Sequence, residues 1–478
     1  RKFSNISITL NPQLTLIIGT NGAGKTTIAD AIAKTLSWIS SNFLNEDGRG
    51  KSVILSDIRV GSDFSKIHSQ FTLTTKNSYS VQLYKVNIGK EKKKNSELAE
   101  IKILGNLYRT LYDKHQIDLP VFAYYSVDRI DKFGKRPTTK PITSPLDNYT
   151  NCLDGKADFS SLLEYIHYLE ERIMRLTRID PILLSNYLKL KSKVELKVKQ
   201  GIFIHDDPEY IELSKLESSL LPPPKDEGAK LYFDILNSVI KTFVPDINNI
   251  RIGYADENDL VNNLQVKRPI IKVQIDDIWL EIDQLSHGQK SLLAMVTDLS
   301  RRMMMLNQKL ENPLAGQGIV LIDEIELHLH PTWQQTVIGN LQKTFPNIQF
   351  IITTHSPHVL SSVDAACIRP LRDAIAPKTD NRVAQVDAIH YQTKGVSSAD
   401  VLAEIMGVNP VADVPEAKML SAYHALIQKN LHETVEGLAL RRQLDDHFGN
   451  QHPVMQDCDR ILRLQAFKKK WPLPSNTK

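Results

Sequence analysis

Apolar positions change period repeatedly along the 478-residue chain, and each change marks an element. Residues 3–10 (FSNISITL) and 14–19 (LTLIIG) are short β-branched runs parted by Asn11-Pro12, which predicts two strands and a turn. A helix is predicted from Thr26 to Ile39, a hairpin from 68–75 and 79–86, and a buried strand over 120–126 (PVFAYYS). Residues 131–150 hold three prolines and many Thr, Ser and Asn, the composition of a long loop. Helical spacing follows. Leu162, Leu163, Ile166, Leu169, Ile173 and Leu176 predict a helix over 159–178, with others over 182–200 and 208–220 before Pro222-Pro223-Pro224.

The second half alternates. A helix over 229–243 precedes strands over 269–275 and 278–282 around Asp276-Asp277. Then come a helix over 289–307, a strand over 318–322 (GIVLI), a helix over 332–344 and a strand over 348–353 (IQFIIT). Continuous apolar strands alternating with helices predict an α/β fold with a mostly parallel sheet covered on both faces. From residue 396 onward the pattern is helical, and no internal repeat is visible. The expected division is a first lobe over 1–150, a helical insertion over 151–224, a second lobe over 225–395 and a helical C-terminal region over 396–478.

Composition narrows the classes. With 41% hydrophobic and 24% charged residues, the chain is neither disordered nor a disulfide scaffold. Its formal charge of +4 selects no partner, so any nucleic-acid surface must be local. Lys92–Lys94, Arg301-Arg302 and Lys468–Lys470 are the short basic clusters available, and the run 90–94 reads as a solvated loop. Cys152, Cys367 and Cys458 are far apart, which excludes a paired-cysteine zinc site and fits a reducing compartment. No apolar run approaches the roughly 18 residues of a membrane span. No apolar signal core follows Arg1-Lys2, so the cytoplasm is the expected location, and the Arg start predicts further residues upstream.

Four segments carry chemistry. Gly19-Thr20-Asn21-Gly22-Ala23-Gly24-Lys25-Thr26 matches G-x-x-x-x-G-K-[ST], follows an apolar strand and opens a helix. In such a loop backbone N–H groups close around phosphates, Lys25 reaches the β- and γ-phosphates, and the Thr26 hydroxyl ligates Mg²⁺. Asn21, Gly22, Ala23, Gly24, Lys25, Thr26 and Thr27 are therefore the candidate nucleotide contacts, the plain alternative being a glycine-rich strand–helix turn. Next, Gly318–Ile322 delivers Asp323 and Glu324 to a strand's carboxyl end, where ligands of parallel sheets sit. Asp323 suits Mg²⁺, and Glu324 suits polarising an attacking water, although apolar strands also end in acidic turn residues. Leu285-Ser286-His287-Gly288-Gln289 places a serine cap before a helix, and Thr353-Thr354-His355 follows the strand IQFII.

In this order the four segments resemble the ABC-type ATPases, whose signature is LSGGQ-like; here His287 stands where the middle glycine is usual. The resemblance implies an ABC-type ATPase head, with an antiparallel β lobe beside the parallel sheet, and ATP and Mg²⁺ as cofactors. It further implies that Ser286, Gly288 and Gln289 contact ATP held by the opposite subunit and that His355 contacts the γ-phosphate, beside Glu324 as catalytic base. A Gln-containing loop is expected too, with Gln70 and Gln82 as candidates, and Phe3 is a candidate for stacking on adenine.

The stretch Asp323–Pro331 (DEIELHLHP) closely resembles the DE-P-E-x-x-L-H-P stretch of soluble OLD-like and recombination-type ATPases, with Ile325 where proline is common. His328 and His330 lack supporting ligands for a metal, so packing or contact with a dimer partner is expected of them. Residues 396–409 (VSSADVLAEIMGVN) and the helical stretch 415–441 resemble the Septu-type antiphage ATPases, which also occur beside some retrons. That resemblance implies a homodimer or higher even oligomer, an HNH-type nuclease partner, and, in a retron, a reverse transcriptase with its RNA/DNA product. Nucleic acid would then be met through the complex. Asp445, Asp446 and His447 lie in a helical context and look solvated, so no nuclease activity is expected in this chain. The alternatives are a DNA-repair ATPase acting directly on DNA, a nucleotide-gated scaffold, and a transporter subunit, which the helical insertion and tail disfavour.

Overall fold

The run LTLII forms β1 (Leu14–Ile18), with all five residues buried, and the phosphate-loop motif leads from it into α1 (Lys25–Leu44). Of the chain, the computed structural model describes residues 3–73, 77–90, 95–130, 144–157, 159–175, 181–199, 207–220, 227–259, 264–375, 382–386, 389 and 391–470. After α1 come the antiparallel hairpin β2 (Phe64–Thr72) and β3 (Ser78–Val86), then α2 (Ala99–His115), which packs on α1 and β3. Next are β4 (Val121–Ile130), β5 (Gly155–Ala157), α3 (Phe159–Arg175), α4 (Pro181–Lys199), α5 (Pro208–Leu220) and α6 (Glu227–Phe243). Helix α3 packs against α6, while α4 and α5 pack on each other.

A three-stranded antiparallel sheet follows, β6 (Ile247–Asp259), β7 (Leu264–Ile275) and β8 (Ile278–Glu281). Then come α7 (His287–Leu306), β9 (Gly318–Ile322), α8 (Pro331–Thr344), β10 (Ile348–Thr354), the single turn α9 (Pro357–Leu360), β11 (Ile368–Ile375) and β12 (Arg382–Val386). The main sheet has seven strands in the order β12-β11-β1-β10-β9-β4-β5. All its pairs are parallel except β11 with β12. The fold is thus α/β, with antiparallel sheets beside a mostly parallel one. Central strands buried on both faces demand continuous apolar runs, which LTLII, GIVLI and IQFII supply.

Residues 3–10 form no strand. Both edges of β1 are already taken, by β10 on one side and β11 on the other, so the preceding segment cannot pair with β1 as a hairpin. The chain divides into two units, residues 1–398 and 399–478. Beyond α10 (Ser398–Glu404), the second unit holds α11 (Pro415–Gln428), α12 (Val435–Phe448) and α13 (Pro453–Lys470) around a core of Tyr423, Ile427, Leu444, Met455 and Cys458.

Helix α7 is buried along most of its length, and with it the pair Arg301-Arg302, each 1% exposed. This corrects their candidacy as a nucleic-acid contact. Arg301 Nη2 donates to Asp298 Oδ1 at 2.8 Å, and Arg302 Nε donates to Asp298 Oδ2 at 2.9 Å. The Tyr125 hydroxyl on β4 donates to the same Oδ2 at 2.9 Å, and Arg301 Nη1 reaches Asn148 Oδ1 at 2.7 Å. Burial pushes the Asp298 carboxyl up, but Arg302 and Arg301 outweigh it and hold the group below its ordinary value. Lys92–Lys94, residues 131–143 of the expected loop and Pro222–Pro224 lie outside the described residues, as do the side chains of Lys468–Lys470.

Removing the shared carboxylate would leave two buried guanidinium groups uncompensated. Asp298→Ala is expected to lower the unfolding free energy by about 3–5 kcal/mol, measured by urea denaturation of the purified protein.

Candidate nucleotide site

Pairing brings the strand ends to one level. Ile18 pairs with Thr354, Ile352 with Ile322, and Ile322 with Tyr125. The residues that follow therefore share one edge of the sheet: the loop from Gly19, the acidic pair 323–324, and His355. Ligands of parallel sheets bind at such carboxyl ends.

The loop turns through left-handed conformations at Gly22 (φ 75°) and Gly24 (φ 103°), which residues with a Cβ rarely adopt. The Phe3 ring lies directly against Gly24, in the space a Cβ would fill. Phe3 thus lines the loop itself. Asn21 and Gly22 are exposed, Thr27 is half-buried, and the Ala23 N–H donates to the Thr20 carbonyl at 3.0 Å. Lys25 is 5% exposed. Its ammonium donates to the carbonyls of Gly19 (3.1 Å) and Thr20 (3.4 Å) and contacts His355 Nε2. Burial lowers its pKa against the opposing pull of Glu324, Asp323 and Glu326. The His355 imidazole is likewise lowered, first by burial and then by Lys25, which favours the neutral ring as acceptor.

Asp323 is fully buried, and two hydroxyls grip it. Thr26 Oγ1 donates to Oδ2 at 2.7 Å, and Thr353 Oγ1 donates to Oδ1. The same Thr353 hydroxyl accepts the Glu324 N–H at 2.8 Å, so one side chain fixes both acidic residues. Glu324 has φ 47°, and its carboxylate stands 3.9 Å from His355 Nε2. Two further groups complete the cluster. Arg129, near the end of β4, donates from Nη2 to the Glu324 carbonyl at 2.6 Å. Burial lowers its guanidinium to about 10, against the pull of Glu326, Asp323 and Glu324. Glu326 Oε1 accepts the His355 backbone N–H.

The signature segment lies at the start of α7. Ser286 caps the helix: its Oγ accepts the Gln289 N–H at 3.3 Å, and Gln289 Oε1 accepts the Ser286 N–H at 3.0 Å. Ser286 and His287 are exposed, whereas Gly288 is buried against the His328 carbonyl, where a Cβ would collide. The His287 and His328 rings lie 5.6 Å apart. His330 caps α8, its ring nitrogen accepting the Thr332 N–H at 3.4 Å.

Lys25, Thr26, Asp323, Glu324 and His355 are therefore brought together. Gln82 is not in this group: it is buried in β3, its amide donating to Glu97 at 3.2 Å, and Gln70 sits in the paired hairpin strand β2. Sequence reasoning missed Arg129, Thr353 and Glu326 as parts of the cluster. Thr353 and Glu326 lay inside segments already singled out, and Arg129 follows the strand 120–126.

Residues 1–360 match the model of the AAA ATPase domain family, so the chain belongs to that family. The chain is 33% identical to the Retron Vc95 probable ATPase of Vibrio cholerae serotype O1 biovar El Tor, over 78% of this chain and 72% of that protein. It is 28% identical to the Retron Ec83 probable ATPase of Escherichia coli, over 98% of this chain and 84% of the relative. A shorter match, 30% identical over 32% of this chain and 23% of the relative, is to the Septu protein PtuA of Bacillus mycoides (strain KBAB4).

Lys25→Ala removes the buried cation of the loop. Charge-assisted contacts to phosphate are among the stronger polar ones. The variant is expected to bind ATP roughly 10- to 100-fold more weakly, read by equilibrium titration with a fluorescent ATP analogue.

Proposed function

We propose that this chain binds and hydrolyses ATP at a head-to-head dimer interface and thereby controls a separate HNH-type nuclease in cytoplasmic antiphage defence. The convergence of Lys25, His355, Glu324 and the Thr26–Asp323 pair on one edge of the sheet carries the reading. The likeness to retron probable ATPases and to a Septu protein supports the defence setting. Within it, a reverse transcriptase with its RNA/DNA product is the further partner when the chain acts in a retron. No described helix is long and apolar enough to cross a membrane.

The donor set suits the groups it would hold. Thr26 and Asp323 offer only oxygen atoms, 2.7 Å apart, the chemistry Mg²⁺ prefers. Lys25, now turned onto the loop's own carbonyls, offers a buried cation to an incoming phosphate, with the N-terminus of α1 beside it. When bound, Mg²⁺ supplies charge neutralisation at the phosphoryl oxygens. Glu324 orients a water and takes its proton, and His355 steadies the terminal phosphate. Asn21–Thr27 surround the phosphates. Exposed Ser286, with Gly288 and Gln289 behind it, presents a helix N-terminus to the nucleotide held by a second copy.

Glu324→Gln is expected to keep ATP binding and to slow phosphate release by roughly 100-fold or more, the scale of a lost general base. Wild-type turnover in that variant would move the base elsewhere.

The trans role of Ser286 is testable by mixing. Ser286→Arg and Lys25→Ala homodimers each have both pockets damaged, whereas a mixed dimer regains one intact pocket. Mixing the two inactive proteins is expected to restore partial ATP hydrolysis. Full activity in the Ser286→Arg homodimer would return Ser286 to a helix cap alone.

A further inference from the structure

We propose that Arg129 is the positioning residue that aims the Glu324 carboxylate, a role no motif of the chain assigns. This role rests on the reading of Glu324 as the hydrolytic base and deepens it. Arg129 belongs to none of the four motif segments. It comes from β4, which reaches the site only because it pairs with β9 in the main sheet.

Three observations carry the role. Arg129 is 2% exposed, and a guanidinium that deep is retained only where other groups compensate it. Asp323, Glu324 and Glu326 supply that compensation.

The second is what Arg129 holds. Glu324 adopts a left-handed backbone (φ 47°), which is uncommon for a residue with a Cβ and persists where its surroundings enforce it. Its N–H is tied to Thr353 Oγ1 at 2.8 Å, and its carbonyl accepts from Arg129 Nη2 at 2.6 Å and from the Leu327 N–H at 3.1 Å. The Glu324 side chain is itself 31% exposed, so packing holds it less, and the backbone orientation sets the direction in which it leaves the chain.

The third is what is left open. Arg129 Nε and Glu326 Oε2 are both buried without a hydrogen-bond partner, while the other Glu326 oxygen accepts the His355 N–H. Arg129 thus holds the Glu324 turn by a hydrogen bond, while Glu326, the carboxylate that pulls on it most strongly, accepts the His355 N–H.

The test uses the full chain and the variants Arg129→Ala, Arg129→Lys and Glu324→Gln, with the double variants Arg129→Ala/Glu324→Gln and Arg129→Lys/Glu324→Gln. Melting temperature is followed beside ATP titration, steady-state turnover and single-turnover phosphate release. Arg129→Ala is expected to lower kcat roughly 10- to 100-fold, the scale of a misplaced catalytic group, with ATP affinity and KM nearly unchanged. Arg129→Lys, which keeps a cationic donor, should recover part of kcat. In the Glu324→Gln background, Arg129→Ala should cause no further loss, because residues acting as a unit are not additive.

Unchanged kcat in Arg129→Ala would overturn the proposal, as would losses that multiply in the double variant. If Arg129→Ala does not fold, Arg129→Lys carries the same comparison: a lowered kcat with no added loss beside Glu324→Gln supports the role, and an unchanged or multiplied one overturns it. Wild-type turnover in Glu324→Gln alone would refute the base assignment and this role together. Failure confined to the Arg129 variants would leave the base assignment standing.

Discussion

Everything at the candidate nucleotide site depends on the register of four parallel strands. The site is held by hydrogen bonds between groups that belong to different strands or to the loops just beyond them. Thr26 Oγ1 to Asp323 spans 2.7 Å, the Glu324 N–H to Thr353 spans 2.8 Å, and Arg129 to the Glu324 carbonyl spans 2.6 Å. A slip of one residue would move a strand end by about 3.3 Å and turn its side chains to the opposite face. None of these bonds would survive that shift. Close packing on both faces opposes it, since Leu16, Val320 and Phe350 are fully buried where they stand and would have to repack on the opposite face.

The electrostatics of the site follow from the same crowding. Asp323, Glu324 and Glu326 lie on one short segment, and two buried cations answer them from other elements, Lys25 from the start of α1 and Arg129 from β4. Lys25 is held by carbonyl oxygens of its own loop, which give way more readily than a carboxylate would. A cation kept on weak neutral acceptors is preorganised for a stronger anionic one. The buried Asp298 cluster is built differently: there the carboxylate is saturated by Arg301, Arg302 and Tyr125, and it serves packing between α7 and β4.

Much of this was legible in the chain. Strands such as GIVLI and IQFII announce themselves because a doubly buried strand has no polar face to confuse the pattern, and the phosphate loop is marked by glycines that its backbone requires. The run FSNISITL misled, because β-propensity cannot register that both neighbours of β1 are already taken. Helix α2 was missed although Ile101 and Leu104 are buried: Gly105, Tyr108 and Tyr112 dilute its helical signal. Arg301-Arg302 looked like a surface cluster because their partner Asp298 lies on the same helix, three and four residues earlier, and burial is invisible in a charge count. Arg129 was silent for the opposite reason. Its partner is a backbone carbonyl 195 residues away, a contact that no local pattern encodes.

The contact between Gly288 and the His328 carbonyl has a mechanical meaning. It presses the first turn of α7 against the segment that begins with the acidic pair, leaving no room for a side chain between them. The two cannot slide independently. The tip of α7, with Ser286 at its cap, is thereby set in place by the same segment that carries Asp323 and Glu324. A shift of either segment is met by the other at backbone, with no flexible side chain between them to absorb it.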